Sequence, residues 1–120
     1  MKKLSILIIT VLMFTVGCTP TRTTIFYWGN YSSALYKYKK TPDESTRAAY
    51  KSALKEILDN AKKKFKKIPP GVHAEYGYVL AQEGDIVGGQ EYFGKELQLY
   101  PESKEFVAKL QQEISRGNQQ

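Results

Sequence analysis

Apolar positions fall into blocks along the chain, and their spacings predict different elements. Residues 4–16 form a mostly apolar run behind Met1-Lys2-Lys3. At about a dozen residues it is short for a membrane span and suits the middle of a secretory signal. Beyond it the period becomes helical. Tyr31, Ala34, Leu35 and Tyr38 share one face of a short helix over residues 31–39. Tyr50, Leu54, Ile57, Leu58, Ala61 and Phe65 recur at intervals of three and four, predicting one long helix from residue 42 to about 67. Thr41 is its expected cap, Pro42 its first helical position and Glu44 the partner in a capping box. Pro69-Pro70-Gly71 stop it. Phe106, Val107, Leu110 and Ile114 make the apolar stripe of a final helix. No strand-like alternation of useful length follows the long helix.

Between these helices, Tyr76-Gly77, Leu80, Gly84-Asp85, Gly89, Phe93, Leu97 and Pro101 carry a specific spacing. Residues 70–103 thereby resemble one tetratricopeptide repeat, a helix–turn–helix unit of about 34 residues. Glycine inside a helix costs up to about 1 kcal/mol, so Gly77 and Gly89 imply two helices in close approach. His73 and Glu96 depart from the pattern, and both are expected at the outer edge of the unit. A single repeat cannot bury its own face, and the flanking helices supply neighbours. The expected fold is all-α: a short, right-handed, tetratricopeptide-like stack of about five helices over residues 25–116. Residues 117–120 are expected to fray.

Cys18 is the one cysteine, and it stands where the signal ends. Phe14-Thr15-Val16-Gly17-Cys18 resembles the bacterial lipobox, in which the cysteine receives diacylglycerol and becomes the first mature residue. The expected organisation is a lipoprotein signal peptide at 1–17 and a tether at 18–24. An ordinary secretory signal with a chance cysteine at the cut is the alternative. Lipidation disposes of a free thiol that an oxidising compartment would make a liability. The 103 mature residues lack a second cysteine, so no disulfide forms within them. Six tether residues reach at most ~20 Å, which keeps the domain near its anchor. Thr19 follows the cysteine where Asp would resemble an inner-membrane retention signal. For a Gram-negative source, the expected location is the outer membrane, facing the periplasm.

Charge is divided unevenly. Residues 18–68 carry 12 Lys/Arg against 4 Asp/Glu, and residues 69–120 carry 4 against 8. Much of the positive end lies in Lys62, Lys63, Lys64, Lys66 and Lys67. Such a run fits anionic lipid head groups, an acidic partner, or a solvated helix end that complements the helix dipole. Nucleic acid is a poor partner, because export removes the chain from the cytoplasm.

Catalysis needs a convergent nucleophile, base and electrophile. The one histidine, His73, reads as a surface or half-buried residue near a helix start, and lipid consumes the one cysteine. Glu91 and Glu96 show no partner acid, and no group has metal-ligand spacing. No enzyme activity, cofactor or metal is expected. Phe26, Tyr27, Trp28 and Tyr31 are candidates for a partner-binding surface, since Tyr and Trp are enriched at interface hot spots. They equally suit a cap over the open end of the helix stack.

Tyr27-Trp28-Gly29-Asn30-Tyr31, Leu35-Tyr36-x-Tyr38-Lys39, Pro69-Pro70-Gly71, Ala74-Glu75-x-Gly77-Tyr78 and Leu99-Tyr100-Pro101-Glu102-Ser103 form an ordered set. Together they resemble a family of bacterial lipoproteins defined by a domain of unknown function. Its members resemble short helical-repeat lipoproteins, often encoded beside a lipoprotein similar to the curli secretion channel. The resemblance implies a role in a cell-envelope assembly and supplies no catalytic residues. The expected function is a membrane-tethered helical adaptor or accessory subunit with an envelope protein partner. An envelope lipoprotein binding a glycan or anionic lipid, through the aromatic cluster and the lysine run, is the alternative.

Overall fold

In the computed structural model, residues 24–117 are described. The signal segment 1–17, Cys18, the tether up to residue 23 and the tail at 118–120 lie outside the described residues. The described chain is all-α. Its helices are α1 (Tyr31–Lys40), α2 (Glu44–Asn60), α3 (Val72–Gln82), α4 (Ile86–Leu99) and α5 (Lys104–Gly117), with 3-10 turns at Lys62–Lys64 and Pro101–Ser103.

The long second helix differs from expectation at both ends. Asp43, not Thr41, caps α2: its carboxylate accepts from the Thr46 N–H at 2.7 Å, and Thr46 Oγ1 accepts from the Asp43 N–H at 3.1 Å. Thr41 cannot open this helix because it still closes the previous one, its N–H donating to the Lys37 carbonyl at 3.0 Å. At the other end α2 stops at Asn60. The Ala61 carbonyl accepts from both the Lys64 and Lys66 N–H groups, at 3.1 and 2.9 Å. Lys67 then pairs with the N-terminal segment, donating to Ile25 at 2.9 Å and accepting from Tyr27 at 3.0 Å. The lysine run is therefore a tight loop, not a helix end. Phe65, expected on the core face, is instead fully exposed with φ at 55°, a left-handed conformation costing a side-chain-bearing residue ~1–2 kcal/mol.

α3 is the centre of the molecule. One side packs with Tyr50, Ala53, Leu54 and Ile57 of α2 and Ala34 of α1, through Val72, Tyr76 and Val79. The other side packs through Ala74 against Phe93 of α4 and Val107 of α5. Its closest neighbour is α4, joined by the turn at Gly84, whose φ of 96° suits glycine. Asp85 caps α4 by accepting from the Gly88 N–H at 2.9 Å. The two helices cross where Gly77 faces Gly89.

Two residues expected at an outer edge are inside. Glu96 is fully buried, and its Oε1 accepts from the Gly71 N–H at 2.7 Å and from Ser103 Oγ at 2.8 Å. It thus ties α4 to the turns entering α3 and α5. His73 is buried as well, stacked at 6.1 Å from Tyr92. No helix among the described residues is long and apolar enough to cross a membrane.

Candidate functional site

Three helices contribute walls to one groove. α1 offers Leu35, Tyr38 and Lys39, α3 offers Glu75, Tyr78, Val79 and Gln82, and α5 offers Phe106, Leu110 and Glu113. On each helix these residues recur at steps of three and four, with Lys39 and Val79 beside Tyr38 and Tyr78, so a single side of each faces the space. Tyr50 of α2 forms part of the lining, and the groove encloses about 370 Å³.

Glu75 organises one wall. Tyr31 donates its hydroxyl to both carboxylate oxygens, at 3.0 and 2.9 Å, and Tyr50 donates to Oε2 at 2.5 Å. Burial holds the Glu75 carboxyl above the ordinary carboxylate range, outweighing the two phenol donors and Lys39, which pull it down. The phenols respond to the same surroundings. Burial, and next the Glu75 charge, push Tyr31 up to about 12 and raise Tyr50 too. Both therefore stay protonated donors across the physiological range.

Aromatic rings continue from this wall to the surface. Tyr38 stacks on Tyr50 at 5.5 Å, Tyr50 lies 6.0 Å from Tyr31, and Tyr31 lies 5.2 Å from Trp28. Trp28 is 39% exposed and meets Phe26 edge-on at 6.5 Å. The four aromatic residues singled out in the sequence thus divide. Trp28 and Tyr31 join the ladder into the groove. Tyr27 turns to α2 and donates to Glu56 at 2.5 Å, which raises its own pKa. Phe26 faces a second cavity.

That second cavity, about 450 Å³, has an apolar lining of Phe26, Ile68, Leu99 and Tyr100 and three lysines, Lys62, Lys66 and Lys67. Tyr100 also donates its hydroxyl to the Ile68 carbonyl at 2.5 Å. Of the remaining lysines, Lys63 is exposed and Lys64 lies over the Tyr27 ring at 5.6 Å.

Sequence reasoning missed Glu75 as an organising residue. It reads as a surface acid in the first turn of a helix, and its phenol partners lie 25 and 44 residues away. The one available signal was an acid three positions before Tyr78 in a chain rich in tyrosine. Among the described residues, no group of three or more His, Cys, Asp or Glu is placed to hold a metal ion.

Fold and groove define a small all-helical protein organised around one central hairpin. The chain belongs to the family described as Domain of unknown function (DUF4810), whose model matches residues 25–110. Comparison with curated proteins and with solved structures found no match.

Proposed function

We propose that this chain is an outer-membrane-anchored lipoprotein, facing the periplasm, that acts as a helical-repeat adaptor or accessory subunit in a cell-envelope assembly or secretion complex. Lipid on Cys18 holds it to the bilayer. It acts by binding, without catalysis and without a cofactor or metal. Its partner is another envelope protein, with a curli-secretion-channel-like lipoprotein the first candidate.

The observation that supports an adaptor is the groove shared by α1, α3 and α5. Grooves between helices take amphipathic helices or extended segments by seating apolar anchors. Tyrosines suit that task because they offer large contact area with few rotatable bonds. Here Tyr38 and Tyr78 supply the area, while the Glu75 clamp fixes Tyr31 and Tyr50 behind them. Trp28, at the outer end of the ring ladder, is the exposed aromatic continuous with this surface.

In cells, the chain should incorporate labelled palmitate and lose the label on Cys18→Ser. Capture from membranes should return one dominant envelope protein, released by Trp28→Ala or Phe106→Ala while the palmitate label persists. Identical capture by wild type and both variants contradicts the adaptor role. Missing palmitate contradicts the anchor.

A further inference from the structure

The loop at residues 61–67 breaks two local rules at a single position. Phe65 is a large apolar side chain with 100% exposure, and it occupies a left-handed backbone region that favours glycine or asparagine. Neither feature helps the fold, and a residue held against local preference points to a use outside it. The loop is also firmly built. Phe65 donates to the Lys62 carbonyl at 3.0 Å, the Ala61 carbonyl takes the Lys64 and Lys66 N–H groups, and Lys67 is bridged to Ile25. Phe65 is thus displayed on a fixed turn, flanked on both sides by ammonium groups.

Beside the turn lies the 450 Å³ cavity, with its apolar Phe26, Ile68, Leu99 and Tyr100 and its three lysines. Among the described residues, no carboxylate lines it. Leu99 is 54% exposed and Ile25 64% exposed along the same edge. Positive groups next to open apolar surface match a molecule that is anionic at one end and greasy at the other. An acidic protein would satisfy the lysines and leave Phe65, Ile25 and Leu99 in water. An anionic lipid surface satisfies both.

We infer that the 61–67 loop docks the domain onto an anionic bilayer, with Phe65 entering the interface, Lys62, Lys63, Lys64, Lys66 and Lys67 meeting the head-group phosphates, and the adjoining cavity receiving lipid. The inference rests on the membrane-anchored role and adds the face that the domain turns to the bilayer. Connectivity favours the same face: Ile25, which accepts from the Lys67 N–H, is only seven residues after Cys18. Each lysine near an anionic surface adds attraction that fades beyond a Debye length of about 10 Å at 0.1 M salt.

The test places a reporter at the tip of the turn. Full-length chain carrying Phe65→Trp in a Trp28→Phe background is reconstituted with vesicles of brominated phosphatidylglycerol or brominated phosphatidylcholine. Flotation is read alongside tryptophan quenching, and circular dichroism confirms an unchanged helix content. Docking predicts a blue-shifted, quenched tryptophan with the anionic vesicles and a water-exposed one with the neutral vesicles. Each lysine exchanged for glutamine should lower the docked-to-undocked ratio about fivefold in dilute salt. A chain that floats with both vesicles and stays unquenched on both overturns the docking and leaves the anchor standing. Quenching with flotation only on anionic vesicles upholds the docking and removes the anchor. Flotation with neither overturns both. Equal quenching on the two lipids overturns the charge-dependent docking proposed here.

Discussion

Gly77 and Gly89 stand so close across the α3–α4 crossing that a Cβ on either would lie 2.7 Å from the carbonyl oxygen of the other. Backbone, not a movable side-chain end, occupies the space. Alanine at either position must push the helices apart, and overpacking of this kind costs about 1–3 kcal/mol. Urea denaturation should show that loss for Gly77→Ala and for Gly89→Ala. Gly94 of α4 is the control, with nothing within 4 Å of the same atom. Gly94→Ala should instead stabilise by up to about 1 kcal/mol. Equal responses at all three sites would remove the crossing from its central place.

Glu96 holds three segments together from a fully buried position. Glu96→Ala leaves the Gly71 N–H and the Ser103 hydroxyl without their acceptor, a loss of about 1–3 kcal/mol for an unsatisfied buried donor. Glu96→Gln keeps an oxygen at Oε1 and should lose less. Denaturation midpoints of the two variants check the order.

Acidity around Glu75 gives a signed prediction. Its folded carboxyl is raised by burial, so the folded chain keeps the proton to higher pH than the unfolded chain does. Stability therefore falls as pH rises from the ordinary value of 4.5 through the raised one, and is level above it. Glu75→Gln cannot ionise. The stability difference between wild type and variant should decline across that window, and parallel curves would contradict the assignment.

His73 works in the opposite direction. Burial pushes its imidazole below the ordinary 6.5, outweighing the charge of Glu96, which pulls it upward. The unfolded chain then takes the proton first as pH drops, and stability declines from about 6.5 down to the lowered value. His73→Leu should flatten that part of the curve. An imidazole titrating at or above 6.5 by NMR would contradict the burial.

Helix count and the central hairpin were legible because both rest on local regularities. Three-and-four spacing marks α1, α2 and α5, and two interior glycines have few explanations besides a close crossing. The end of α2 was not legible. Ala61 and Phe65 continue the apolar period perfectly well, but Lys67 is drawn into a bridge with Ile25, and a contact across 42 residues overrides the local pattern. Glu75 and Glu96 failed for a related reason. Acids read as surface residues, and only the folded chain brings Tyr31, Tyr50, Gly71 and Ser103 to them. The aromatic segment was visible as a cluster, yet its division between groove, Glu56 and the lysine-rimmed cavity depends on tertiary placement.

A photo-crosslinking amino acid at Tyr38, inside the groove, tests the adaptor most directly when activated in intact cells. Gln98, on the exposed side of α4, serves as the comparison site. An adaptor gives one discrete adduct with an envelope protein from position 38, diminished by Phe106→Ala, and none of that adduct from position 98. The same adducts from both positions, or no discrete adduct from position 38, would contradict it.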